Sequence, residues 1–162
     1  DSNKMSTIDG PWYYEQIMLG YNYRMTDIQA SLGISQLRRL DAYIQKRKEI
    51  ALWYTDQIQN SSISSKFKVL EQKNNRESSH HLFIIQSRVV GNNSDIHKQM
   101  IGMGIGVNLH YIPVYKQPDF HSTLTLSGAD LYYKTAMSLP IFPSIKKHEK
   151  QKVIDCLEKI LL

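Results

Sequence analysis

From Thr26 onward, apolar side chains return at helical spacing. Ile28, Leu32, Leu37, Leu40, Ile44, Ile50, Ala51, Tyr54 and Ile58 recur along one stripe, and Thr26 or Asp27 is placed to cap the start. The pattern predicts one long helix with a break near Leu40 to Ala42. Gly33 falls inside it, and because a mid-helix Gly costs about 1 kcal/mol relative to Ala, it predicts close packing against a neighbour. From Asn60 the stretch NSSISSKFKVLEQKNNRESS is rich in Ser, Asn and Lys and predicts a loop, with room for a short strand at Phe67 to Leu70.

Beyond that loop the period changes. HHLFIIQSRV is apolar and β-branched enough for a buried strand, and GNNSD supplies a turn and a cap for a helix from Ile96 to Ile101. GMGIGVNLHYIPV predicts a turn followed by a strand. A Pro-containing loop, a short helix around Asp130 to Thr135 and an extended AMSLPIFPS come next. A C-terminal helix, capped by Ser144, runs from about Lys147 to Leu161. The fold class is α/β, as an α+β two-layer sandwich with a small sheet and helices upon it.

Composition narrows the picture without choosing a function. A chain of 162 residues is enough for one domain that buries roughly 70% of its unfolded surface. With 41% hydrophobic and 22% charged residues, no apolar run reaches the roughly 20 residues that span a bilayer. Cys156 has no cysteine partner and sits in a helical pattern, which predicts a buried, inert thiol and a reducing, cytoplasmic setting. The net charge of +5 suits nucleic acid, an anionic membrane or an anionic nucleotide alike. Its lysines and arginines are dispersed, and the short clusters Arg38-Arg39, Lys46-Arg47-Lys48 and Lys146-Lys147 read as solvated helix faces. Asp1 to Gly10 shows neither an initiating Met nor a signal pattern, which predicts a chain cut from a longer one.

Several apparent motifs lack the context their chemistry requires. Gly102, Gly104 and Gly106 follow a predicted helix and precede a predicted strand, the reverse of the order that aims helix N–H groups at phosphate; they are expected to end the helix. His80 and His81 would point to opposite faces of a strand, and His97, His121 and His148 stand alone, so no metal site is predicted. The triplets at Asn60 and Asn92 match glycosylation acceptors by chance, and there is no G-x-S-x-G elbow. Two places remain. His110-Tyr111 falls at the end of a predicted strand, where sites are commonly built, although Tyr111 also suits a ring that caps the core. Tyr21-Asn22-Tyr23-Arg24 precedes a helix start: the rings and Asn suit a packed turn, whereas the Asn amide and the Arg guanidinium suit a phosphate.

Four stretches taken in order, LGYNYRMTDIQASLGISQLRRLDAYIQKRKEIA, HHLFIIQ, GIGVNLHYIPVYKQPDF and SLPIFPS, resemble the C-terminal half of the DegT/DnrJ/EryC1/StrS family of nucleotide-sugar aminotransferases. The YIPVYKQP version is most similar to members that aminate a UDP-linked 4-keto-6-deoxy sugar on the way to pseudaminic acid. The resemblance implies the small C-terminal domain of the aspartate-aminotransferase architecture, with residues 1-25 leading in from a large domain and residues 26-162 forming the small one. It further implies a homodimer that binds pyridoxal 5'-phosphate, a nucleotide sugar and an amino donor, usually glutamate, in bacterial surface-glycan biosynthesis.

By the same resemblance, Asn22 reaches the cofactor phosphate of the neighbouring subunit with Arg24 close by, and His110 and Tyr111 line the nucleotide-sugar side. No lysine here matches the family's Ser/Thr-x-His-x-x-Lys context, so this chain carries no catalytic residue and is expected to be inactive alone. A non-catalytic nucleotide-sugar-binding module is the alternative. A basic nucleic-acid-binding domain ranks last, because no helix-turn-helix, zinc-finger or RNA-binding signature is present. Neither nucleic acid nor membrane is an expected partner.

Overall fold

The computed structural model describes residue 3, residue 5 and residues 10–91, 93–120 and 123–161; Lys4, Asn92 and His121 lie outside them. Packing divides the chain into two compact units, Asp1–Arg38 and Arg39–Leu162.

In the first unit, helix α1 spans Asp27–Leu37 and begins with a reciprocal cap. The Gln29 N–H donates to Thr26 Oγ1 at 3.3 Å while the Thr26 N–H donates to Gln29 Oε1 at 2.9 Å. Two of the N–H groups a helix start leaves unpaired are thereby satisfied. No α1 side chain is buried. Gly33 does not have the close neighbour its position predicted, since no atom stands within 4 Å of where its Cβ would be.

The second unit opens with α2, Leu40–Gln59. The expected break thus falls at Arg38-Arg39, ahead of the predicted point, and no Gly or Pro marks it; the apolar stripe continues across it in sequence. A single helical turn at Ser62–Ser65 leads to β1, Phe67–Val69, followed by β2, Phe83–Ser87, and later β3, Ala136–Leu139. The sheet order is β1-β2-β3, antiparallel throughout, with Val69 opposite Ile85 and Ile85 opposite Met137. Along β2 the buried residues alternate as Phe83, Ile85 and Ser87, the period-2 pattern of a strand with one core face.

Three helices cover that face. Ile50, Ala51, Tyr54 and Ile58 of α2, Ile96 and Met100 of α3 (Asn93–Gly102), and Val153, Ile154, Cys156 and Leu157 of α5 (Lys147–Leu161) form one core with Phe67, Phe83, Ile85, Met137 and Leu139. The short α4, Ser127–Thr135, feeds directly into β3. Cys156 is buried and free, as its helical position predicted.

The glycine cluster ends α3 as expected. The Ile105 N–H donates to the Met100 carbonyl and the Gly104 N–H to the Ile101 carbonyl, both at 2.9 Å, with Gly104 at φ +76°. This is the Schellman arrangement, and buried Ile105 and Met100 supply its apolar contact.

Three further expectations fail. The strand predicted after these glycines reduces to one pair, Asn108 with Ser138, on the open edge of β3. Asn108 and Ser138 exchange both backbone bonds, at 3.3 and 2.8 Å, and the ladder goes no further; the Leu109 N–H, which would face away from β3, donates to Asn108 Oδ1 at 2.8 Å. Ser144 does not cap α5; instead the Lys146 N–H donates to Glu149 Oε2 at 2.7 Å. His80 and His81 precede β2 rather than lie in it, and His80 has φ +48°, which no strand tolerates.

Candidate functional site

The segment that enters α1 displays its side chains instead of burying them. Tyr21 and Tyr23 stack on each other, with ring centroids 5.1 Å apart and planes 14° from parallel, while 85% and 87% exposed. They are therefore not a staple packed on the helix. Asn22 and Arg24, between and beyond the rings, are exposed, and among the described residues neither side chain has a hydrogen bond or ion pair. An amide and a planar guanidinium two positions apart, both without partners among the described residues, suit a doubly charged oxyanion, for which the guanidinium offers parallel donors.

In the second unit, the single bridge at Asn108 positions His110. Its Nε2 lies 2.9 Å from Ser138 Oγ, which in turn donates to the Asn108 carbonyl at 3.2 Å. Ser138 itself is buried. The Tyr111 ring stands edge-on to the imidazole, with centroids 4.7 Å apart, and is 72% exposed. The peptide between the two residues is cis. Nδ1 of His110 is buried without a partner among the described residues.

His110 and Tyr111 thus form one cluster with Ser138 and Asn108, whereas Asn22 and Arg24 stand in the other unit. Sequence reading missed Ser138. Its only signal was the short SLP block, which is weak alone, and the contact joins residues 28 apart.

The loop that follows is held by α4. Two short turns, Val114–Lys116 and Pro118–Phe120, carry Tyr115 and Lys116 to Asp130. The Tyr115 hydroxyl donates to Asp130 Oδ1 at 2.8 Å, and the Lys116 ammonium pairs with the same oxygen. The Lys116 hydrogen bond, then that of Tyr115, holds the Asp130 carboxyl below the usual carboxylate range. Asp130 conversely raises the Lys116 ammonium, while the Tyr115 phenol is raised first by desolvation and then by its bond to Asp130. These residues border an open cavity of about 490 Å³ together with Gln117, Pro118 and Leu124.

Elsewhere there is less chemistry. A larger cavity, about 740 Å³, lies between α2 and β1, with Ala51, Phe67 and Leu82 in its walls and none of the sequence-selected residues. Among the described residues no cluster of His, Cys, Asp or Glu is arranged to hold a metal, and no helix is long and apolar enough to cross a membrane.

Known proteins resemble this chain along nearly its whole length. The model of the DegT/DnrJ/EryC1/StrS aminotransferase family matches residues 5–158. The UDP-4-amino-4,6-dideoxy-N-acetyl-beta-L-altrosamine transaminase of Campylobacter jejuni is 32% identical over 155 residues, which cover 93% of this chain and 40% of that protein. The spore coat polysaccharide biosynthesis protein SpsC of Bacillus subtilis is 32% identical over 162 residues, 94% of this chain and 41% of that one. The structure of Helicobacter pylori PseC, an aminotransferase involved in the biosynthesis of pseudoaminic acid, superposes with a TM-score of 0.80 at 26% identity over 94% of this chain and 42% of that one. The chain therefore spans 40 to 42% of the length of these three relatives. With that fold and that match, the chain belongs to the DegT/DnrJ/EryC1/StrS aminotransferase family.

Proposed function

We propose that this chain is the C-terminal part of a pyridoxal-phosphate-dependent aminotransferase. The enzyme moves an amino group from glutamate onto a nucleotide-linked 4-keto-6-deoxy sugar, with a UDP carrier, for bacterial surface-glycan synthesis. The observation that carries the reading is the pair Asn22 and Arg24, which hold anion-binding donors in the open with no partner among the described residues. Those donors fit the phosphate of the cofactor, and they are assigned to the phosphate bound by a neighbouring subunit.

The covalent half of the cofactor site does not fit this chain. Lys48 is paired with Glu77, Lys116 with Asp130 and Lys98 with Asp95, and Lys150 lies over the Trp53 ring at 4.3 Å. None of the lysines stands in the family's sequence context. When bound, pyridoxal phosphate supplies the electron sink for transamination. The residues here bind and orient: Asn22 and Arg24 the phosphate, His110 and Tyr111 the nucleotide sugar.

Pairing with a second polypeptide is supported by α1, whose apolar residues Ile28, Leu32, Ile34 and Leu37 are 83, 61, 54 and 67% exposed. Exposed apolar side chains of this kind, distributed around the helix, fit a surface covered in the assembled protein. The test is Asn22→Ala in the full-length protein. Loss of a hydrogen bond to a charged group predicts that cofactor retention weakens roughly 10- to 100-fold while the thermal midpoint of the apoprotein stays put. Unchanged cofactor affinity would remove the phosphate role.

A further inference from the structure

His110 has two ring nitrogens and one hydrogen when neutral, and its surroundings decide which nitrogen carries it. In one arrangement Nε2–H donates to Ser138 Oγ and the Ser138 hydroxyl donates to the Asn108 carbonyl, at 2.9 and 3.2 Å. Both hydrogens are then used, and only the Nδ1 lone pair is unmatched. In the other, the Ser138 hydroxyl turns to Nε2, its bond to Asn108 is lost, and Nδ1–H becomes a buried donor with no acceptor among the described residues. The first keeps two hydrogen bonds where the second keeps one, and an orphaned N–H is the rarer defect in a folded chain. The Asn108 carbonyl also accepts the Ser138 N–H at 2.8 Å, which keeps that carbonyl within reach of the hydroxyl.

We propose that Ser138 is a positioning residue for His110: it locks the imidazole as the Nε2–H tautomer and thereby presents Nδ1 as an acceptor for a hydroxyl or N–H donor of the sugar nucleotide. The ligand half of this proposal rests on the assignment of His110 to the nucleotide sugar; the tautomer half rests on Ser138 and Asn108 alone. Nδ1 is closed to solvent. Contact with a ligand therefore needs a side-chain movement, and Tyr111, packed edge-on to the ring and 72% exposed, has the freedom to make it. Ser138 touches neither sugar nor cofactor in this scheme and acts only through the ring.

The test is long-range proton–nitrogen NMR on the 162-residue chain with labelled histidine. At neutral pH His110 is expected as the Nε2–H form, and finding the Nδ1–H form in the wild-type protein overturns the proposal without any variant. Ser138→Ala should mix the tautomers and Ser138→Thr, which keeps the hydroxyl, should restore the single form; a tautomer indifferent to both changes also overturns it. Titration with UDP-N-acetylglucosamine should then move the Nδ1 resonance, with affinity lowered roughly five-fold by Ser138→Ala, the value of one ordinary hydrogen bond. Shifts at Tyr111 with Nδ1 unmoved would overturn the acceptor role. No shift anywhere would overturn the assignment of this cluster to the nucleotide sugar, and with it the ligand half, while the tautomer result would still decide the role of Ser138.

Discussion

Arg47 Nη1 donates to the Ile141 carbonyl at 2.8 Å, tying the middle of α2 to the segment that leaves β3. The same nitrogen reaches the carbonyls of His80 and His81 at 3.2 and 3.3 Å, so its two hydrogens are shared among three acceptors around the Ile141 contact. One half-buried cation thus holds together the approach to β2 and the exit from β3.

Removing that cation leaves carbonyls without a donor. Arg47→Ala should destabilise the protein by about 2 to 3 kcal/mol, and Arg47→Lys by less, since an ammonium restores the charge but not the planar fork. The check is a urea midpoint that falls with the slope unchanged; a midpoint equal to the wild type would show that Arg47 is a surface residue after all.

The second prediction concerns Tyr54, which is fully buried with its hydroxyl donating to the Pro140 carbonyl at 3.0 Å. Tyr54→Phe should cost about 1 to 2 kcal/mol, because it strands that carbonyl, and Tyr54→Ala about 3 to 5 kcal/mol, because it opens a cavity. Burial pushes the phenol well above its ordinary value of 10.0. Since the folded form keeps its proton where the unfolded chain loses it, this contribution is intact below pH about 10 and falls away as pH rises above it. Stability of the wild type should therefore decline from pH 10 to 11 more steeply than that of Tyr54→Phe; parallel declines would refute the assignment.

Much of this fold was legible because its core is built from periodic patterns. Ile50, Ala51, Tyr54 and Ile58 keep helical spacing and are all buried, and Phe83, Ile85 and Ser87 keep strand spacing. What escaped was set by pairings between residues far apart. Lys46-Arg47-Lys48 reads as a solvated cluster, and only the folded chain reveals that Arg47 turns inward to carbonyls 33, 34 and 94 positions away. The strand expected within GMGIGVNLHYIPV has the right composition, but only Asn108 pairs with the sheet, through Ser138, and the ladder stops there. At the candidate site, His110 and Tyr111 were visible as chemistry at a loop's edge, whereas Ser138 is an ordinary strand residue until the fold sets it beside the imidazole.

The three glycines at the end of α3 give the third prediction, because they read alike and are placed differently. Gly104, at φ +76°, occupies the left-handed position of the Schellman turn. Gly104→Ala should cost about 1 to 2 kcal/mol from backbone strain, although space for a methyl exists. Gly102 is helical with nothing within 4 Å of a Cβ, so Gly102→Ala should stabilise by up to about 1 kcal/mol through helix propensity. Opposite signs in the two thermal midpoints are the expected result, and equal losses would contradict the turn geometry.

The last prediction concerns Asp130, the anchor of the loop beyond Tyr111. Its carboxyl is held below the usual range by Lys116 and then Tyr115, so the folded form stays ionised where the unfolded chain would take up a proton. A depressed carboxylate contributes stability above its unfolded pKa and loses it as pH falls through the folded one. The turn amides of Lys116 and Gln117, bonded to the Pro113 and Val114 carbonyls at 2.9 and 3.0 Å, report whether the loop is held. Their protection from hydrogen exchange should weaken as pH drops below the ordinary Asp range, after correction for the intrinsic exchange rate. Asp130→Asn, which cannot form the ion pair, should show that weakened protection already at neutral pH and little further pH dependence. If the variant and the wild type share one pH profile, the Asp130 pair does not hold the loop, and the turns at Val114 and Pro118 stand by their own backbone bonds.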